Sequence, residues 1–208
     1  MPRPRSLTAP QIADAARALV AREGLPVLSM RTVAAELGVS AMSLYRYVRS
    51  RDEIEGLLVD AVLRGIDTDL PARLGWRNRV IVLVERARDA MRAQPALVPM
   101  LLTRRHGSAG SVRWGEAMMR ALADGGFAGE RRALTFRTLL AYLTGAVQVE
   151  HFGPLSGKGG GALARLPASV FPYLSETARS ARGISPDREF RAGLEAVLLG
   201  LEGGAARR

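Results

Sequence analysis

The sequence contains no cysteine, a single lysine (Lys158), two histidines and few aromatic residues (5%). Without thiols, disulfides, thiolate metal sites and cysteine nucleophiles are excluded. Two histidines, no Gly-x-Ser-x-Gly and no metal-ligand spacing leave no nucleophile, base and orienting group to assemble, so neither catalysis nor a cofactor is expected. No apolar run reaches the ~18 residues of a membrane span. The Met1-Pro-Arg-Pro-Arg opening has no apolar h-region, so a cytoplasmic location is expected. What is present is 208 residues, 48% of them hydrophobic, with a net charge of +10. That is room for a small module plus a larger domain, each with its own core. The charge is unevenly placed: residues 1–51 hold eight arginines (Arg3, Arg5, Arg17, Arg22, Arg31, Arg46, Arg49, Arg51) against Asp14, Glu23 and Glu36. Such density favours a nucleic-acid partner over a generally basic surface.

The stretch from Leu28 to Arg51 has the sequence form of two short helices around a tight turn. Ser29 is placed to cap the first, in which Val33, Ala34 and Leu37 share an apolar face. Gly38 ends that helix where a left-handed backbone is needed, and Val39 turns inward. Ser40 caps a second helix, Ala41 to about Val48, with Leu44 and Val48 four apart on its buried side. The other face offers Ala41, Met42, Ser43, Tyr45, Arg46 and Tyr47, and no acid occurs between Glu36 and Asp52. A helix, a glycine turn and a short helix of this kind predict a helix-turn-helix whose second helix enters the DNA major groove. A preceding helix, from a Thr8-x-x-Gln11 capping box with Pro10 in its first turn to Glu23, completes a core of Ile12, Leu19, Leu25, Val33, Leu37, Leu44 and Val48. Ser50-x-x-Glu53 opens a fourth helix to about Arg64, with Ile54, Leu57, Leu58, Ala61 and Val62 expected inward.

Leu37-Gly38-Val39-Ser40, then Leu44-Tyr45-Arg46-Tyr47-Val48, then Ser50-Arg51-Asp52-Glu53 resembles the DNA-binding domain of the tetracycline-repressor (TetR) family over about residues 8 to 65. The resemblance extends more loosely to the C-terminal part. It implies an all-α protein, with a three-helix DNA-binding domain at 1–50, a linking helix at 51–66, and a helical effector-binding and dimerisation domain at 67–208. Helices are expected at about 73–93, 95–103, 109–124, 129–152, 168–181 and 186–202, with a mobile glycine-rich stretch over 153–167. Leu139, Leu140, Leu143 and Val147 on one helix, and Phe190, Leu194, Val197, Leu198 and Leu201 on the last, would by the resemblance form a four-helix dimer interface. Gly193 and Gly200 are small enough for close backbone approach there.

The implied activity is that of a homodimeric repressor, released from a palindromic double-stranded operator by a small molecule. Ala41, Met42, Ser43 and Arg46 would face base edges, with Arg46 suited to guanine O6 and N7. Arg31, Ser40, Tyr45, Tyr47 and Arg51 would hold phosphates; residues 1–7 read as a disordered basic arm whose Arg3 and Arg5 either lie against DNA or have no role. Candidate effector contacts are the large, soft side chains Trp76, Met91, Met100, Trp114, Met118, Phe136, Tyr142, Phe152 and Phe171, with Thr103, Arg104, His106, Gln148, Glu150 and His151 at helix ends. Thr103-Arg104 matches a pair in the tetracycline repressors, but Met100 stands where those proteins use a histidine toward a drug–magnesium chelate. A larger apolar or amphipathic effector is therefore expected, and no metal. The alternative is an architectural DNA-binding protein without effector control, which the large helical domain argues against.

Overall fold

The computed structural model describes residues 7–71, 73–104, 108–152 and 158–203, without the side chains of residue 152 and residues 158–160. Helices make up its regular structure, and no strand occurs among the described residues. The helices are α1 (Ala9–Glu23), α2 (Met30–Glu36), α3 (Ala41–Leu44), α4 (Arg51–Arg64), α5 (Trp76–Arg92), α6 (Val98–Arg104), α7 (Ala109–Asp124), α8 (Gly129–Phe152), α9 (Lys158–Leu163), α10 (Pro172–Ala181) and α11 (Pro186–Gly203). Arg3, Arg5, His106 and the side chain of Phe152 lie outside the described residues. The chain forms two compact units, one of residues 1–73 and 85–120, the other of 74–84 and 121–208. Residues 85–120 thus group with the N-terminal helices.

In the first unit, local signals set the helix ends. The Thr8 hydroxyl accepts the Gln11 N–H, and the Gln11 side chain accepts the Thr8 N–H, so the capping box is closed. Ser29 caps α2 by accepting from the Thr32 N–H at 3.2 Å, and Thr32 returns the bond through its own hydroxyl. Ser50 caps α4 through the Glu53 N–H, but Glu53 Oε2 reaches back to the Arg49 N–H at 2.7 Å, one residue outside the expected box. Ile12, Leu19, Val33, Leu44 and Val48 are buried as expected; Leu25 and Leu37 are half-buried, and Ala13, Ala16, Val20, Leu28, Met30 and Ala34 fill the remaining space.

Helix α4 is rotated relative to its hydrophobic pattern. Its buried residues are Ile54, Glu55, Leu58, Val59 and Leu63, while Leu57 and Val62 are half-buried and Ala61 is exposed. The helix packs against both α1 and α6, and Glu55 is held by two arginines, so a carboxylate takes a core-side position. At its other end, Asp60 Oδ1 accepts the Gly110 N–H at 3.1 Å, and Arg113 Nη2 donates to the carbonyls of Arg64 and Ile66.

In the second unit, α8 presents Thr135, Leu139, Leu143 and Val147 at four-residue spacing, and α11 presents Phe190, Leu194 and Leu198. These ridges pack together, with Leu140, Val197 and Leu201 half-buried beside them. Tyr142 donates its hydroxyl to the Phe190 carbonyl at 2.7 Å, its ring 5.4 Å from that of Phe190. Gly193 makes this possible, since a methyl there would occupy the space of the Tyr142 hydroxyl. Gly200, by contrast, has nothing close to it. Gly193→Ala is expected to cost about 1–3 kcal/mol by overpacking. Tyr142→Phe should make that same change cheaper, a coupling that a double-mutant cycle of urea denaturation measures directly.

The glycine-rich stretch is not a loop throughout. Residues Lys158–Leu163 form α9, which packs on α10 with Ala164 buried. Tertiary contact here outweighs the low helix propensity of three successive glycines. The next helix, α10, begins at Pro172, where proline at the first helical position needs no N–H partner, later than the expected 168.

Candidate nucleic-acid interface

The turn between α2 and α3 carries the geometry that a helix-turn-helix requires. Gly38 has φ +67°, its N–H bonds to the Ala35 carbonyl at 3.0 Å, and the Val39 N–H bonds to the Ala34 carbonyl at 2.9 Å. Both bonds of a Schellman motif are thus made, which reverses the chain in the fewest residues. A Cβ at Gly38 would meet nothing, so the cost of a side chain there is backbone strain alone. Gly38→Ala is accordingly expected to lower stability by about 1 kcal/mol, seen as a melting temperature ~2–4 °C lower by circular dichroism.

Ser40 then caps α3 by accepting the Ser43 N–H at 3.2 Å. The regular helix ends at Leu44, shorter than expected. Its turns persist, however, with the Tyr45 N–H on the Ala41 carbonyl and the Tyr47 and Val48 N–H groups both on the Leu44 carbonyl. Leu44 and Val48 are buried and anchor the segment from beneath. Outward from that anchor, Met42 is 78% exposed, Tyr45 50% and Tyr47 39%, and Ser40 and Arg46 are exposed as well. Ala41 and Ser43 are half-buried. Arg31 on α2, Arg49 and Arg51 are also exposed. The structure brings all nine residues expected to touch DNA into the first unit, seven of them on one continuous segment, Ser40 to Tyr47.

A concavity of about 670 Å³ adjoins this segment, bordered by Gln11, Asp14, Glu36, Ser43, Arg46 and Tyr47. Its two acids are both paired: Asp14 with Arg17 at 3.4 Å and Glu36 with Arg22 at 2.8 Å. The hydrogen bond from Arg22 holds the Glu36 carboxyl below its ordinary range, so it stays ionised and paired at neutral pH. Among the described residues Arg31, Arg46 and Arg49 are exposed and carry no ion pair, so the net basic charge beside the segment comes from them. Hydroxyls, tyrosines and arginines over an apolar anchor are suited to phosphate oxygens and base edges.

Pairing also reveals residues that sequence reading missed. Arg51 Nε donates to Glu55 Oε1 at 2.8 Å, a pair legible from its spacing of four on α4. Glu55 Oε2 takes Arg104 Nη2 at 3.1 Å, and Arg104 Nη1 donates to Asp52. No local pattern signals those two contacts, because α6 and the start of α4 are far apart in the chain.

The residues expected to meet an effector are distributed between the two units. Met91, Met100, Trp114 and Met118 are buried in the first. Thr103 there is exposed and donates to the Pro99 carbonyl, and Arg104 is engaged with α4. In the second unit, Trp76 packs edge-on to Phe127 (5.1 Å) and against Gly125, with the Arg131 guanidinium 4.2 Å over the Phe127 ring. Phe136 and Glu150 are half-buried; Gln148, His151 and Phe171 are exposed. Among the described residues no cluster of three or more His, Asp or Glu side chains is placed to hold a metal ion, and no helix is long and apolar enough to cross a membrane.

Two family descriptions match the chain: "Bacterial regulatory proteins, tetR family" over residues 12–54, and "Tetracyclin repressor-like, C-terminal domain" over residues 70–204. The HTH-type transcriptional repressor DrrR1 of Streptomyces coeruleorubidus is 40% identical over 100 residues, which is 47% of this chain but only 36% of that protein's length. The tetracycline repressor protein class A from transposon 1721 of Escherichia coli is 27% identical over 190 residues, 90% of this chain and 87% of that one. Among solved structures, the Streptomyces coelicolor TetR family protein ActR in complex with (S)-DNPA superimposes with a TM-score of 0.81 at 30% identity, covering 96% of this chain and 99% of that one.

Proposed function

The chain belongs to the tetR family of bacterial regulatory proteins, and from that premise we propose that it is a homodimeric transcriptional repressor, released from a palindromic operator by a small apolar or amphipathic molecule. The observation that carries the DNA-binding part is the segment Ser40 to Tyr47, whose polar, aromatic and basic side chains stand clear of the protein while Leu44 and Val48 hold it down. Arg46 reads base edges together with Ala41, Met42 and Ser43; Arg31, Ser40, Tyr45, Tyr47 and Arg51 set the register on phosphates.

Homodimer formation is supported by Leu134 and Val149 on α8 and Leu199 on α11, large apolar residues left exposed on the two helices whose opposite faces pack together. One recognition segment reads too few base pairs, and two related by a two-fold axis read half-sites about one helical turn, or a multiple of it, apart. Ligand control is supported by the likeness to ActR, which has been solved in complex with (S)-DNPA and with actinorhodin. The buried methionines Met91, Met100 and Met118 and the indole of Trp114 supply soft, adaptable surface for an effector of variable shape.

Footprinting on the DNA upstream of the protein's own coding region, with sedimentation of the free protein, tests the reading. Expected are a protected palindrome and a dimer. Equal affinity for that fragment and for random duplex at every salt concentration would instead make the protein an architectural binder.

A further inference from the structure

Five charged groups converge where α4 begins, beside the recognition segment. Each oxygen of the Glu55 carboxylate takes a different arginine: Oε1 accepts from Arg51 Nε at 2.8 Å and Oε2 pairs with Arg104 Nη2 at 3.1 Å. Asp52, one turn earlier, takes the other end of the Arg104 guanidinium, while Glu53 is occupied by the Arg49 N–H. The hydrogen bond to Asp52, and after it the charge of Glu55, hold the Arg104 guanidinium above its ordinary range. Glu55 is buried, whereas Asp52 and Arg51 are exposed on the side that carries Arg49 and Ser50. Arg104 is the last residue of α6 and the one partner here contributed by another helix.

We propose that Arg104 is a charge shield for the DNA-facing start of α4. By pairing with Asp52 and Glu55 it keeps two carboxylates from opposing operator phosphates and leaves Arg51 free to share itself between Glu55 and the DNA. The inference rests on the DNA-binding reading above and adds to it a positioning residue that never touches DNA. With Arg104 withdrawn, Glu55 has only Arg51 as counter-charge, and Asp52 stands unpaired. The N-terminal turn of α4 then repels the phosphate backbone, while Leu44, Val48 and the recognition segment remain as they are. Because Asp52 is exposed, the effect is screened by salt.

A double-mutant cycle separates this role from the two simpler ones. Operator affinity is measured by fluorescence anisotropy at 50 and 200 mM salt for the full-length wild type, Arg104→Gln, the pair Asp52→Asn with Glu55→Gln, and the triple variant, each with its melting temperature. The duplex is one selected from a random pool by the wild type. Arg104→Gln is expected to weaken binding about tenfold at the lower salt and less at the higher. The carboxylate-neutralised protein is expected to bind at least as tightly as the wild type, and Arg104→Gln to have no further effect in that background. An equal loss in both backgrounds would mean that Arg104 itself contacts phosphate, and a loss in all three variants that tracks melting temperature would mean a packing role; either result overturns the shield. Failure of the wild type to select any duplex would instead remove the DNA-binding reading.

Discussion

Gly110→Ala is expected to lower the melting temperature by ~6–12 °C, the largest effect of any single methyl group added to the first unit. The second residue of α7, Gly110 lies so close to α4 that a Cβ would overlap the backbone of Leu63 and Arg64. Backbone in a packed helix cannot step aside as the tip of a long side chain can, so one of the two helices must shift. Overpacking of this kind costs about 3 kcal/mol, the upper end of the usual range, because no side chain can move away. The shift would also stretch the bond from the Gly110 N–H to Asp60 and displace Arg113 from the carbonyls at the end of α4. Gly115, five residues further along the same helix, has open space around its Cα. Gly115→Ala should therefore raise stability by about 0.5–1 kcal/mol, since alanine is the better helix former. Thermal and urea denaturation of the two variants side by side checks the claim. Similar behaviour of the two would show that α7 does not approach α4 so closely.

Arg46→Ala is expected to change which operator is preferred, and Tyr45→Ala to weaken binding to every sequence alike. A guanidinium held bidentate to guanine contributes about 1–3 kcal/mol of discrimination, roughly 5- to 150-fold in affinity for the cognate site. Arg46 is exposed on a segment whose turns are pinned by Leu44 and Val48, so its removal leaves the presenting backbone in place. Tyr45 offers one hydroxyl on a half-exposed ring, suited to a phosphate oxygen and indifferent to sequence. Binding of each variant to the selected operator, to single-base-pair variants of it and to random duplex distinguishes the two roles. A uniform loss across all three DNAs for Arg46→Ala would remove it from the base-reading set.

Much of the recognition unit is legible in the chain because its signals are local. Thr8 with Gln11, Ser29, Ser40 and Ser50 cap helices through bonds that span three residues, and Gly38 takes the left-handed conformation that its neighbours demand. The apolar spacing of Leu44 and Val48 determines which face of the reading segment is left outward. Apolar spacing alone does not fix the buried face of every helix. On α4 it pointed Ala61 and Val62 inward and missed Glu55, because a carboxylate is counted as an outward residue unless its partners are known. The glycines of α9 carry no helix signal of their own because propensity is local, while the contact with α10 that overrides it is not.

The amino-acid order by itself determined the helices of the first sixty residues, the turn between the reading helices and the basic, acid-free character of the outward face. Each of these follows from bonds and spacings within one or two helical turns. Only the tertiary structure decided that Arg104 meets Asp52 and Glu55, that Gly110 lies against the backbone of α4, that Tyr142 is spent on Phe190, and that residues 85–120 group with the N-terminal helices. These depend on which residues distant in the chain come within a few ångströms of one another, and no periodicity within a single helix encodes that.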